Sequence, residues 1–370
     1  MPTSGSSAIY IEGPWSHRAV SANGRRFHIA ESGEGPLVLM LHGFPQFWWA
    51  WRQQLTSLAA AGFRAVAADM RGYGGSDKPP RGYDLITAAS DAAGLIRALG
   101  EANAVVVGHD WGGLVAWTTA AYYPKVVRRL AVVSAAHPLR MRTEMLAGPV
   151  RHGWRHGYTL GFQLPVVPES RLVRNNAEQV GQMLQAWSGP GWPDRETERR
   201  YRAAMTVPSV AHSALEYHRW YLRSWLRPDG MRYAHRMRAP IQAPTLHLHG
   251  ALDPCLPARS AQGSARYVTA PYRWRLIDGA GHFPAARLGT NGSRMTWCSP
   301  RPARWNSPRN CSTPAARSTP TRCSRRPGRP HPARSGTCGK DWPRSRLASP
   351  TPGAGTLAVL SRSCAGAGSG

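Results

Sequence analysis

The chain has 370 residues and a formal net charge of +27, long enough for one large core plus an insertion, or for two modest domains. Met1 to Ser7 is small and polar with no apolar signal-type run after it, and no stretch approaches the roughly 18 apolar residues of a membrane span, so a cytoplasmic protein is expected. Such a charge ordinarily points to nucleic acid or an anionic surface, but of the 47 Lys+Arg and 20 Asp+Glu, 14 and 1 lie from Leu288 onward, leaving 33 and 19 before it.

The first apolar run, Pro36-Leu-Val-Leu-Met-Leu41, stops at His42-Gly43-Phe44-Pro45, as a buried parallel strand does. Trp49 to Ala61 has helix length, and Arg64-Ala-Val-Ala-Ala68 then ends at Asp69. A second helix is expected over Leu85 to Leu99, followed by the strand Ala104-Val-Val-Val107, which ends at Gly108, and by Arg129-Leu-Ala-Val-Val-Ser134. From His137 to Ala239 the rhythm breaks into a stretch rich in Trp, Tyr, His and Arg, which reads as a helical cap. Thr245-Leu-His-Leu-His249 and Trp274-Arg-Leu-Ile277 resume the strands. Apolar strands alternating with helices imply an α/β fold with a mostly parallel sheet covered on both faces. The expected division is a core over 1–137 and 240–287, a cap over 138–239, and a tail over 288–370.

That tail holds 11 Pro, no Phe, Tyr, Ile or Glu, and five of the six cysteines, Cys298, Cys311, Cys323, Cys338 and Cys364. It cannot offset its ordering entropy by apolar burial, so disorder is expected. The cysteine spacings match no zinc pattern, and without an export signal a disulfide framework is not expected. Neither a metal nor a cofactor is called for.

In open parallel sheets chemistry gathers at the carboxyl ends of strands, and the informative residues follow strand ends here. Gly108-His109-Asp110-Trp111-Gly112-Gly113 has the small-x-nucleophile-x-small form of a nucleophile elbow between a strand and an apolar helix. The competing reading is a turn aspartate capping the helix that begins at Gly112. A carboxylate at the elbow narrows the chemistry. Attack on an ester carbonyl would give a labile anhydride, whereas attack on an sp³ carbon bearing a strained oxygen or a halide gives an alkyl ester that water can cleave. Asp253, in Leu248-His-Gly-Ala-Leu-Asp253-Pro254, and His282, in Gly279-Ala-Gly-His282-Phe-Pro284, follow the last two strands. The order Asp110, Asp253, His282 is nucleophile, acid, base. Asp253 would orient His282 and stabilise its cation while His282 activates water. The backbone N–H groups of Phe44 and Trp111 are placed to hold the oxyanion.

Together with Asp69-Met-Arg-Gly-Tyr-Gly-Gly-Ser-Asp-Lys-Pro79, these motifs resemble the α/β-hydrolase-fold epoxide hydrolases over about residues 10 to 286. The resemblance implies an epoxide substrate, water as co-reactant, and two cap tyrosines that activate the epoxide oxygen. The first resembles Tyr158, four positions before Phe162-Gln-Leu-Pro165; the alternative is a tyrosine of the cap core. The second should stand just before Arg219, where this chain has His218, with Tyr217 one place earlier. Helix neighbours point about 100° apart, so Tyr217 serves either as a substrate contact after a shift or as cap packing. Activity is then reduced, or rests on Tyr158 with His218.

Haloalkane and haloacid dehalogenases share the Asp elbow, and Trp111 could hold a leaving halide. Haloalkane dehalogenases commonly have Asn where Phe44 stands, and fluoroacetate dehalogenases carry Arg where Trp111 stands; both comparisons favour the epoxide. A nucleic-acid role for the tail lacks any aromatic platform or folded module. Family members continue after His282 with an acidic amphipathic helix, whereas here the composition switches. Codons compatible with Leu288 to Ser299, read from each third base, can spell Arg-Asn-Glu-Trp-Leu-Ala-Asp-Asp-Leu-Val-Phe. A shift of reading frame near Pro284–Leu288 is therefore expected, and with it an impaired product. Oligomeric state is not legible.

Overall fold

The computed structural model describes residues 8–152 and 158–286; the tail, and the reading-frame expectation attached to it, lie outside the described residues. One eight-stranded sheet carries the fold, in the order β1-β2-β4-β3-β5-β6-β7-β8. The strands are β1 (Ser16–Ala22), β2 (Arg25–Ser32), β3 (Leu37–Leu41), β4 (Arg64–Ala68), β5 (Ala104–His109), β6 (Val127–Val133), β7 (Thr245–Gly250) and β8 (Tyr272–Ile277). Strands β3 to β8 pair in parallel, while β1 and β2 add an antiparallel edge.

The apolar runs form central strands because both of their faces are covered: every residue of β3 and β5 is buried. Helix α1 (Arg52–Ala60) follows a short 3₁₀ turn at Trp48–Trp51. Helix α2 (Leu85–Ala98) starts where the Asp84 carboxylate accepts the Thr87 N–H at 2.7 Å, satisfying one orphan donor of its first turn. Helix α3 (Trp111–Tyr122) is buried along eleven of its twelve positions, a helix apolar all round because it lies deep in the core.

The β1–β2 hairpin is absent from the sequence reading. Its turn, Asn23-Gly24, has φ of 50° and 67°, the double positive φ that hairpin turns favour. Its strands read as polar because they carry His17, Arg18, Arg25, Arg26 and His28, the last buried against Tyr10, His17 and Trp48 with its ring paired to Asp69 at 2.7 Å.

Between β6 and β7 the chain leaves the sheet for helices α4 (Pro138–His152), α5 (Tyr158–Gly161), α6 (Val167–Trp187), α7 (Arg195–Met205), α8 (Val210–Arg223) and α9 (Pro228–Arg236). Helix α6 breaks at Arg174–Ala177. Arg202 of α7 donates to the freed carbonyls of Asn175 and Asn176 at 3.0 and 2.9 Å. Helix α10 (Ala258–Gln262) connects β7 to β8. The last described turn, Pro284–Ala286, is anchored to α1 by Gln54, whose side-chain amide donates to the Ala285 carbonyl at 2.8 Å. Among the described residues no helix is long and apolar enough to cross a membrane.

Candidate active site

Strand β5 ends at His109 and α3 begins at Trp111, leaving Asp110 between them at φ 49°, ψ −116°. Non-glycine residues rarely adopt such a backbone, and it is held only where the surroundings over-determine it. Here they do. A Cβ on Gly108 would sit 2.1 Å from the Gly112 carbonyl oxygen, and one on Gly112 would sit 2.3 Å from that of Leu41. Asp110 N–H donates to Val133 O at 3.1 Å and Gly112 N–H to His42 O at 3.0 Å, pinning the turn to the ends of β6 and β3. The Asp110 side chain makes no capping bond to α3. Its Oδ1 accepts the Phe44 N–H at 2.9 Å instead, which removes the helix-cap reading.

The Phe44 N–H is aimed by a buried brace. His42 donates from Nδ1 to Gly43 O at 3.0 Å and accepts the Met70 N–H at Nε2, at 3.1 Å. Asp69 accepts the Trp48 and Gly75 N–H groups at 2.8 and 2.9 Å. The Asp69–Pro79 motif therefore builds the wall behind the site and does not itself reach the chemistry.

His282 arrives on the loop after β8. His282 N–H donates to Trp187 O at 2.7 Å, and His282 O accepts from His109 Nε2 at 2.8 Å. Burial pushes the His109 imidazole down to about 4, so it stays neutral and acts as a fixed donor. Asp253, on the loop after β7, accepts the Cys255 and Leu256 N–H groups through Oδ1 at 2.8 and 3.1 Å. Its Oδ2 lies 2.9 Å from His282 Nδ1, and His282 Nε2 lies 3.4 Å from Asp110 Oδ2. The imidazole thus sits between two carboxylates. Burial alone would lower its pKa, but Asp253 first and then Asp110 outweigh that and raise it. Burial would raise both carboxyls, and the pairing with His282 overcomes it and lowers each. Asp110 is therefore held ionised.

A pocket of about 520 Å³, counting its open mouth, lies over Asp110. Phe44, Trp111, Leu114, Met141, Met145 and Trp187 make it apolar, and Tyr158, Thr159, His218, Tyr221 and His282 line the rest. Burial, then the nearby Cys255 and Asp110, push the Tyr158 phenol well above its ordinary pKa, keeping it protonated and able to donate. Its hydroxyl has no hydrogen-bond partner among the described residues.

His218 lines the pocket with the opposite polarity from that expected. Trp111 Nε1–H donates to His218 Nε2 at 3.1 Å, and His218 Nδ1 lies 3.1 Å from Ala214 O. An indole nitrogen only donates, so Nε2 is the lone pair and Nδ1 carries the proton, already committed to the helix carbonyl. Burial lowers this imidazole to about 4. The expected proton donor is here a neutral acceptor. Tyr217 points elsewhere: its hydroxyl donates to Arg71 O at 3.0 Å, and its ring packs against Tyr73, Tyr83 and Trp111. The substrate contact assigned to it is corrected to packing, because the 100° step along α8 turns it away from the pocket. Sequence reasoning missed Tyr221, one turn beyond His218 on the same face, whose hydroxyl donates to Pro138 O at 3.0 Å. The i, i+3 spacing was its only signal.

With this geometry in place, the comparisons agree on family. The α/β-hydrolase fold family matches residues 36–285. Epoxide hydrolase 3 of Xenopus tropicalis is 34% identical over 273 residues, 70% of this chain and 71% of that protein. Epoxide hydrolase A of Mycobacterium tuberculosis is 31% identical over 298 residues, 72% of this chain and 91% of its own length. Among solved structures, epoxide hydrolase A of Mycobacterium thermoresistibile has a TM-score of 0.62 at 29% identity, covering 75% of this chain and 96% of that one. The chain belongs to the α/β-hydrolase fold family and is a hydrolase. Within that family it stands with the epoxide hydrolases.

Proposed function

We propose that the protein opens an epoxide to a vicinal diol through an alkyl ester on Asp110. Oδ2, the oxygen not held by Phe44, attacks a ring carbon, the C–O bond breaks, and Tyr158 protonates the departing oxygen. Forming the ester cancels the Asp110 charge, so one of the two carboxylates that hold a second proton on His282 is lost and that proton passes to solvent. His282, oriented by Asp253, then takes a proton from water, and the hydroxide attacks the ester carbonyl carbon. The Phe44 N–H already lies against Oδ1, where negative charge develops; the Trp111 N–H is assigned the second place. Collapse releases the diol as the His282 proton passes to the departing oxygen, and the proton of the re-formed carboxyl returns to Tyr158, restoring carboxylate and phenol.

The observation that carries this reading is the line from Asp253 through His282 to Asp110, at 2.9 and 3.4 Å, ending on a carboxylate at the elbow rather than a hydroxyl. The apolar lining supports an uncharged aryl or alkyl epoxide. Dehalogenation is less well supported, because the indole N–H that would receive a halide is given to His218. The test is His282→Gln treated with styrene oxide. Intact-mass analysis should show one epoxide mass retained on Asp110, because alkylation survives while hydrolysis stalls. A folded variant that gains no mass rules the ester out.

We further propose that residues after Pro284 are read out of frame. The acidic helix spelled by the alternative frame supports this, and the nucleotide sequence of the gene tests it directly.

A further inference from the structure

Two residues after Asp253 stands Cys255, a buried thiol that the proposed reaction does not use. One carboxylate oxygen of Asp253, the Cys255 Sγ and one ring nitrogen of His282 all lie within 4.8 Å of one another, and all three residues are buried. No other group of three such ligands occurs among the described residues. One sulfur, one nitrogen and one oxygen make the mixed set that tetrahedral zinc takes, and the thiolate selects such ions over magnesium or calcium.

We propose that Asp253, Cys255 and His282 form a capture site for a thiophilic divalent cation, zinc or cadmium, which inhibits the enzyme by occupying its acid–base pair. Charge favours the complex. A thiolate and a carboxylate together neutralise a dication, so the buried site gains no net charge, whereas a lone buried ion would be strongly disfavoured. Geometry requires a modest closure. Bonds of about 2.0–2.3 Å at tetrahedral angles hold ligand atoms roughly 3.3–3.8 Å apart, so the widest separation must shrink by about 1 Å. Cys255 can supply that movement, since it lies on the loop between β7 and α10 rather than inside an element. On binding, the thiol proton and the second ring proton of His282 leave to solvent, His282 presents an unprotonated nitrogen, and nothing is oxidised or reduced. The fourth position is left for water. Asp253 then serves the metal instead of orienting His282, while Asp110 is not consumed.

The site rests on the placement of the three ligands and not on the epoxide chemistry, so binding is read without turnover. The probe is cadmium added to the full chain in which Cys298, Cys311, Cys323, Cys338 and Cys364 are replaced by serine, leaving Cys255 as its one thiol. Spectroscopic titration should show a cadmium–thiolate absorption band saturating at one ion per chain, with no response to calcium. In the same background Cys255→Ala should lose the band and weaken binding at least 10–100-fold, and Cys255→Val should do the same while filling the space. Either variant keeps the backbone N–H that Asp253 accepts. Cadmium should abolish turnover of the parent, reversibly on chelation, and should leave turnover of both variants intact. Absence of the band in a folded parent, or equal cadmium affinity in parent and variants, overturns the capture site. A parent that binds cadmium but never hydrolyses an epoxide counts against the proposed reaction and leaves the site standing.

Discussion

The floor and the roof of this pocket are held by different means. On the floor, Asp110, Asp253 and His282 are placed by backbone: a strained elbow between β5 and α3, two N–H groups on the Asp253 carboxylate, and a His282 loop clamped at N–H and carbonyl by Trp187 and His109. On the roof, Tyr158 and His218 project from helices of the insertion, and what His218 offers depends on the Trp111 indole it accepts from. A floor fixed by main chain tolerates little change in residue type. A roof fixed by side chains can exchange a donor for an acceptor, and His218 embodies that exchange.

Removing the floor should cost most. Asp110→Ala should lower epoxide turnover by at least ~10³-fold and leave no covalent adduct even when combined with His282→Gln. Tyr158→Phe should cost about 10²–10⁴-fold, the usual range for a positioned acid, and should slow formation of the adduct rather than its hydrolysis. Rapid-quench measurement of adduct formation separates the two. A Tyr158→Phe variant that alkylates at the parent rate would mean that the roof supplies no acid.

Stability comes next in size. Burial holds His109, His137 and His218 at about 4, 3 and 4, below the unfolded value of about 6.5. The unfolded chain therefore binds more protons once the pH falls below 6.5. Their contribution is fully present above that value and is lost on acidification towards pH 4. At pH 5 each ring costs on the order of 2 kcal/mol, so the melting temperature should fall by ~10 °C or more between pH 7.5 and 5. A flat profile by calorimetry would show that these rings are not buried neutral. A frame-corrected ending after Pro284 should raise the melting temperature by many degrees, since each large side chain a covering helix buries is worth roughly 1.5–3 kcal/mol. Trimming at Leu288 should not, and a cooperative, high-temperature melt of the chain as it stands would contradict that reading.

The smallest effect tests the roof alone. His218→Tyr should raise turnover by up to about tenfold, provided the new phenol reaches the pocket. With His218 neutral across the working range, wild type and variant should have parallel pH–rate profiles between pH 6 and 8. A wild-type profile that is steeper there would restore His218 as a donor.

The same contrast explains what the sequence disclosed. The central strands β3 and β5 were legible because burial on both faces makes them unbroken apolar runs, and the floor residues because each follows a strand end. The edge hairpin escaped although Asn23-Gly24 announces it, since the polar pairing of its buried histidine with Asp69 leaves no apolar pattern in the strand. On the roof, the position of His218 could be counted from Arg219, but not its tautomer. That depends on an indole 107 residues away in sequence, and no local pattern records it. Trp187, which clamps the base loop through a backbone carbonyl, leaves no sequence trace at all, because any residue has a carbonyl to offer.

The two carboxylate oxygens of Asp110 are held unequally. Phe44 holds Oδ1 of Asp110 while Oδ2 faces His282, so under the proposed chemistry only Oδ2 leaves with the product and solvent oxygen refills its place. The two oxygens of a single carboxylate then have different histories: one is a permanent fixture and the other is replaced at every cycle. In isotopically heavy water the side chain would become a ledger with a single column, taking up one heavy atom and no more for as long as the carboxylate does not flip. A second heavy atom would record how often it turns over.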